Sequence, residues 1–226
     1  MRIFSPNFEK EGRGIEKGEK NEYNLFYFFK LLKEKFWTII KLNFLFIIFS
    51  IPIITIPAAL GALNSLTMRI VKREHIFIWS DFISKFKENW KQSTVCFLIL
   101  TTFMIFSLFC LNLYFSISQI NKLFLILFFI TLTIIFFLIM VSLYVYPLLT
   151  TISLSTKDII KNSALLSVVC IKNSLLGLIV FIFFILNFVA FFPFALPIAL
   201  IIGFSLHSFI NSFITFKCID KYIAIN

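Results

Sequence analysis

The chain has 226 residues, of which 60% are hydrophobic and only 14% are charged, and its mean hydropathy is +0.97. A soluble domain carries about a quarter charged residues, so this composition excludes an ordinary soluble domain and indicates an integral membrane protein with the lipid bilayer as its surroundings. The formal net charge of +10 comes from basic residues that flank apolar stretches. Basic residues in this position orient a membrane protein in the bilayer and do not indicate a nucleic-acid partner.

The N-terminal part of the chain is polar and then amphipathic. Residues 1–24 are predicted to form a flexible cytoplasmic tail. Over residues 25–41, large apolar side chains recur at helical spacing while lysines take the other face, which is typical of a helix lying in the membrane interface. Residues 25–217 are predicted to form one transmembrane helical domain, and residues 218–226 a cytoplasmic C-terminus.

Two prolines, Pro52 and Pro57, interrupt the first apolar run, and Thr55 lies between them. Each proline removes a backbone donor and blocks a carbonyl from its usual partner, so these residues predict a break in the helix. The hydroxyl of Thr55 is placed where it can donate to a carbonyl freed in this way. Small residues follow at positions 58–62 and would let a returning helix pack closely.

The break allows two layouts of the first apolar run. Residues 42–63 can form one kinked crossing, which leaves the basic residues between 64 and 93 outside the cell. Alternatively, residues 37–51 and 58–71 form a hairpin that keeps these bases in the cytoplasm. The hairpin is favoured because lysine and arginine accumulate in cytoplasmic loops, although its helices are short for a bilayer.

The remaining sequence repeats the alternation of apolar spans and basic segments. Ser155 and Asp158 fit a helix N-cap pattern, which predicts a second cytoplasmic helix over about residues 156–171. Pro193 and Pro197 break the last uncharged stretch as the first pair does. The sequence thus predicts an all-α polytopic protein of the cell membrane with both termini in the cytoplasm. In this layout six membrane segments form three hairpins, and the alternative is four or five crossings. The six predicted segments are about 37–51, 58–71, 94–116, 123–146, 174–192 and 197–216.

One stretch of the sequence resembles a known family. The run "KFWTIIKLNFLFIIFSIPIITIPAALGALNSL" and the later "DFISKFKENWKQS" are similar to the YesL-like proteins, domain-of-unknown-function family 624. The matching positions include Asn43, Pro52 and Thr55. The resemblance implies an integral membrane protein of Gram-positive bacteria, often encoded beside carbohydrate ABC transporters or polysaccharide-degrading enzymes. It implies no catalytic residue.

The helix predicted after residue 80 offers a candidate partner surface. Its aromatic side chains recur every four residues beside lysines, a pattern that fits an interfacial helix or a docking surface for another protein. The candidate residues are Asp81, Phe82, Lys85, Phe86, Lys87, Asn89 and Trp90.

A second candidate site lies within the last apolar stretch. His207 and Asn211 share one helix face, and Asn187 lies on the preceding helix. Polar groups at this depth are often functional, but they also join helices by hydrogen bonds, so the sequence leaves open a substrate lane or a packing role.

No pattern in the sequence indicates catalysis. The apolar spans contain no Asp or Glu, the four cysteines have no ligand spacing, and no cofactor or metal motif is present. We therefore expect no enzyme, no cofactor and no metal site. The sequence favours an accessory partner of a carbohydrate ABC transporter, with a small transporter or channel subunit as the alternative. It does not give the oligomeric state.

Overall fold

The computed structural model describes residues 24–223, so all but the last residue of the predicted N-terminal tail lies outside the described residues. The described part contains helices and no strand. The elements are α1 (Leu25–Ser50), a 3-10 turn (Ile53–Thr55), α2 (Ile56–Val71), α3 (Ile78–Ser118), α4 (Phe124–Thr151), α5 (Thr156–Val169), α6 (Ile171–Ala190), α7 (Ala195–Ile198), a π-helical segment (Ala199–Gly203) and α8 (Phe204–Ile223).

The chain divides into two compact units, of which the first ends at Glu34 and the second begins at Lys35. In the first unit, the described residues form the start of α1, where the rings of Phe28 and Phe29 meet edge to face with centroids 5.3 Å apart. The predicted amphipathic helix is thus present, and the same helix continues to Ser50. All the contacts described below lie within the second unit.

Five helical stretches of the described residues are long and apolar enough to cross a membrane. The predicted segment 37–51 is not among them, because the charged residues at positions 33, 34, 35 and 41 leave α1 with no uncharged run longer than nine residues, 42–50. By length and composition, the five-crossing alternative therefore fits better than six. The five stretches are Ile53–Val71, Ile78–Ser118, Phe124–Thr151, Ile171–Ala190 and Ala195–Ile223.

The break between α1 and α2 has the predicted chemistry. The Thr55 hydroxyl lies 2.6 Å from the carbonyl oxygens of both Phe49 and Pro52. The Phe49 carbonyl belongs to the last turn of α1 and gains a donor in this way, whereas the Pro52 carbonyl also accepts from the Thr55 N–H at 2.9 Å. Pro57 lies in the first turn of α2, where its missing N–H removes no intrahelical hydrogen bond. The prediction for Thr55 is confirmed.

Helix α3 joins two elements that the sequence analysis kept apart. The predicted interfacial helix and the crossing 94–116 form one helix of 41 residues, which is about 60 Å long and twice the thickness of the hydrocarbon core. Its first turn is closed by the Asp81 carboxylate, which accepts a hydrogen bond from the backbone N–H of Phe77 at 2.9 Å. Part of α3 must therefore extend beyond the hydrocarbon.

The predicted N-cap of α5 is confirmed. The Ser155 hydroxyl accepts a hydrogen bond from the backbone N–H of Asp158 at 3.2 Å, and α5 begins at Thr156. The predicted second break is observed between the end of α6 at Ala190 and the start of α7 at Ala195, and it contains Pro193. Pro197, predicted to take part in the break, lies instead in the first turn of α7. The last helix continues to Ile223, so residues 218–223 are helical, beyond the predicted end at 216.

The core of the second unit is centred on α2. Of the membrane-span candidates, α2 has 67% of its apolar window buried, whereas α3 has 11%. It packs against α3, α4 and α8. On the α8 side, the Thr67 hydroxyl shares hydrogen bonds with the hydroxyls of Ser208 at 3.0 Å and Ser212 at 2.9 Å. Small side chains let these helices approach closely, which explains the run of small residues in α2.

Candidate functional site

One buried side chain of α1 contacts the π segment of the last helix. Asn43 donates from Nδ2 to the carbonyl oxygens of Ala199 at 3.2 Å and Leu200 at 2.7 Å, and its Oδ1 accepts from the backbone N–H of Ser205 at 2.9 Å. A π segment disrupts the regular helical ladder and leaves such groups open. The side chain of Asn43 therefore stabilises the wider turn of the last helix.

Beside this π segment lies a cavity of about 620 Å³, which we call the membrane cavity. Its walls come from α2, α4, α6 and the final helix, all of which are membrane-span candidates. Most of the lining is aliphatic or aromatic, and no Asp, Glu, Lys or Arg contributes to it. The lining residues are Leu60, Leu63, Asn64, Ser142, Leu143, Tyr146, Phe181, Phe184, Ile185, Phe188, Ala199, Gly203, Phe204, His207, Ser208 and Asn211.

Two residues of the cavity lining each have a buried side-chain polar atom without a hydrogen-bond partner within the described residues. These atoms are the hydroxyl oxygen of Tyr146 and the amide oxygen Oδ1 of Asn211. The amide nitrogen of Asn211, by contrast, donates to the carbonyl oxygen of Leu143 at 2.9 Å. A buried polar atom without a partner costs stability, so neither atom contributes to holding the helices together.

The structure brings together two of the three residues of the predicted polar lane. His207 and Asn211 both line the membrane cavity, and the His207 ring lies edge-on to the rings of Phe181 and Phe184, at centroid distances of 5.8 Å and 5.2 Å. Asn187 does not line the cavity and donates to the Phe183 carbonyl in its own helix at 2.8 Å. Asn211 also joins two helices through Leu143, so it combines both roles that the sequence left open.

Sequence reasoning missed several residues of this site. Tyr146 was interpreted as an interfacial aromatic at the end of a crossing, and Asn43 only as a position of the family pattern. Asn64 and Ser142 gave no signal, because single small polar residues are common in membrane helices. The positions of the two proline breaks were a usable signal, since broken helices often border binding sites.

The candidate partner surface on α3 is partly buried within the chain. Phe82 and Asn89 are buried, and the ring of Phe86 packs 5.1 Å from that of Phe49 in α1. Asp81 forms an ion pair with Arg69 of α2 at 2.8 Å. These four residues hold α3 against its neighbours.

Other residues of the same turns are exposed. Lys87 is exposed and Trp90 is 39% exposed, while Lys85 is half-buried and forms an ion pair with Glu88 at 2.7 Å. The part of the predicted surface that a partner can reach therefore reduces to Lys85, Lys87 and Trp90.

The cysteines were interpreted as inert packing residues, and two of them are paired in the structure. Cys170, at the junction of α5 and α6, forms a disulfide with Cys218 of α8. Cys96 is buried and Cys110 is half-buried, and both are free. Nothing in the spacing of Cys170 and Cys218 predicted the bond. Among residues 24–223, no cluster of His, Cys, Asp and Glu could hold a metal ion.

Comparison with known proteins gives one match. The sequence profile of a family described as "Protein of unknown function, DUF624" matches residues 39–113. A comparison with curated proteins and one with solved structures found no match. The matched region contains Asn43, the first proline break and the first turns of α3, which are the residues that carry the resemblance in the sequence. The expected resemblance is therefore confirmed over this region: residues 39–113, about a third of the chain, are similar to DUF624.

Proposed function

We propose that this protein is a non-catalytic accessory membrane protein that works beside a bacterial carbohydrate ABC transport system. The family resemblance supports the association, because such proteins are often encoded beside these transporters. The chain is proposed to lie in the cell membrane with both termini in the cytoplasm.

The observation that carries the proposal is the partial exposure of α3 within the region similar to DUF624. One side of its first turns is fixed to α1 and α2 through Phe82, Phe86 and Asp81. Lys87 and Trp90 of the same turns are exposed. Exposed aromatic residues beside bases are typical of protein interfaces, where Trp often dominates the binding energy.

Site-specific photo-crosslinking tests this partner surface. A photoreactive amino acid at Lys87, in protein expressed at its native level, should give a covalent product with an ABC transporter subunit that mass spectrometry identifies. The matched control carries the same group at Phe106, which is 64% exposed in the apolar part of the same helix. Identical products from both positions, or no transporter subunit from Lys87, would contradict the proposal.

A second candidate is a small transporter or channel subunit that acts alone. The contact that favours it is that of Asn43 with the π segment, an irregular stretch of helix that borders a cavity. This candidate predicts that deletion of the gene lowers sugar uptake and that the purified protein restores uptake in vesicles. Unchanged uptake in both assays would eliminate it.

A further inference from the structure

The break between α1 and α2 carries an exposed apolar surface that the proposed function does not use. Ile51, Ile53 and Ile54 are 75%, 82% and 69% exposed, and we call these three side chains the isoleucine edge. We propose that the isoleucine edge is inserted among the acyl chains of the lipid bilayer. The end of α1 then belongs to the membrane-embedded part of the protein, although α1 is not among the membrane-span candidates.

The exposed apolar surface continues from the break along α1. Phe44 and Ile48 lie four residues apart on one face of this helix, and both are exposed. Ile51 follows three residues later, and no residue between positions 42 and 68 is charged. A continuous apolar surface is unfavourable in water, whereas acyl chains cover it without that cost. The extent of this surface therefore favours contact with lipid over contact with water.

The backbone of the break takes several of its hydrogen bonds from within the chain. The Thr55 hydroxyl donates to the carbonyl oxygen of Phe49 at 2.6 Å, and the Thr55 N–H donates to that of Pro52 at 2.9 Å. The N–H of Ile56 donates to the carbonyl oxygen of Ile53. The prolines of the break have no N–H that would need a partner. Because the hydrocarbon offers no partners to backbone groups, bonds of this kind suit a turn in contact with lipid.

The position and the composition of the isoleucine edge favour lipid over a protein partner. Ile53 is the first residue of the span candidate Ile53–Val71, so the edge is continuous with a stretch that is apolar enough to cross the membrane. The residues that dominate protein interfaces are mainly Trp, Tyr and Arg, and the edge contains none of them. Its aliphatic side chains match the chemistry of acyl chains instead.

Spin-label accessibility in phosphatidylcholine vesicles tests the insertion. A nitroxide is attached to Ile53→Cys in the full chain without its native cysteines, and circular dichroism checks the helical fold. Electron paramagnetic resonance then compares collisions of the label with oxygen, which concentrates in the hydrocarbon, and with nickel ethylenediaminediacetate, which stays in water. We expect the label at Ile53→Cys to collide mainly with oxygen.

Two labelled positions of the same chain are the matched controls. Phe106 is 64% exposed in the apolar part of α3, and Asn121 lies in the turn between α3 and α4. The ratio of oxygen to nickel collisions at Ile53→Cys should equal that at Phe106→Cys and exceed that at Asn121→Cys. A ratio equal to that at Asn121→Cys would place the edge in water, and few collisions with either reagent would show that protein covers it. Either result overturns the proposal.

Photolabelling of the wild-type chain tests the same contact without any substitution. The probe is phosphatidylcholine with a diazirine in one acyl chain, and peptide mass spectrometry maps the adducts. We expect adducts at residues 51–54 as well as on α3 around Phe106. Adducts on α3 with none at residues 51–54 overturn the proposal even if the cysteine-free chain does not fold.

Discussion

At the scale of single residues, Asn43 makes the most distinctive contacts in the structure. Its side chain uses both its amide nitrogen and its oxygen on the backbone of the π segment and Ser205, and it is fully buried. Asn43 thus connects α1 to the π segment that borders the membrane cavity.

Replacing Asn43 by Ala should destabilise the protein by about 1–3 kcal/mol, because two carbonyls and one N–H are left unsatisfied in a buried position. Denaturant unfolding in detergent, followed by circular dichroism, measures the loss. Asn187→Ala is the matched control, since Asn187 bonds only within its own helix, and it should unfold close to wild type. Equal effects of the two variants would contradict the role given to Asn43.

Gly61 marks the closest approach of α2 to α3. A Cβ atom at this position would overlap the hydroxyl oxygen of Ser93, and the next atoms are the Cβ atoms of Ser93 at 3.5 Å and Asn89 at 3.6 Å, which are ordinary contacts. The Ser93 hydroxyl is itself buried without a partner. The two residues therefore form a pair whose effects on stability should not add.

We expect Gly61→Ala to destabilise by about 1–2 kcal/mol through overpacking, and Ser93→Ala to be neutral or stabilising. The double variant should unfold close to wild type, because the removed hydroxyl leaves room for the new methyl group. The same unfolding assay gives the coupling energy of this double-mutant cycle. Additive effects would show that the close approach is not there.

At the scale of helices, the elements that the sequence predicted are those with a local cause. The break at Thr55, the N-cap at Ser155 and the crossings after residue 94 follow from prolines, a hydroxyl at a helix start and long apolar runs. The continuity of α3 could not be predicted, because a charged amphipathic stretch and an apolar one can join without any breaking residue between them.

The candidate site was predictable only in part for a similar reason. His207 and Asn211 stand out as polar residues in an apolar run, whereas Tyr146 resembles any aromatic residue at a membrane boundary. The contact of Asn43 with the π segment links residues more than 150 positions apart, and no periodicity encodes such a distant pairing.

The disulfide between Cys170 and Cys218 connects the α5–α6 junction to α8, and its state depends on the compartment. Lys172 and Lys217 lie beside these cysteines, and the charge pattern predicts a cytoplasmic location for them, where thiols are kept reduced. An alkylating reagent added as cells are lysed should therefore modify both cysteines, whereas purified protein oxidised in air should resist modification.

The oxidised form should unfold at a free energy about 2–4 kcal/mol higher than the reduced form. Cys218→Ser is the control, and its unfolding should not respond to oxidation. A bond already closed in cells would place this end of the molecule in an oxidising compartment and contradict the predicted orientation.

At the scale of the whole molecule, the number of crossings determines where the termini lie. An odd number of crossings places the N- and C-termini on opposite sides of the membrane, and an even number places them on the same side. Five helical stretches qualify as spans by length and composition, and α1 does not. Both termini can therefore be cytoplasmic only if α1 also enters and traverses the membrane, despite its four charged residues between positions 33 and 41.

Single-cysteine labelling in a cysteine-free background resolves this topology. The basic segment favours the cytoplasm, so Lys87→Cys should react with a membrane-impermeant maleimide only after cells are permeabilised. Asn121→Cys, in the turn between α3 and α4, should react in intact cells and is the matched control, because α3 separates the two positions.

A cysteine added before Leu25 then reports on α1 alone: protection in intact cells means that α1 traverses the bilayer, and reaction means that it does not. Reaction of Lys87→Cys from outside would invert the whole layout, because every other span is fixed relative to α3 by the alternation of crossings.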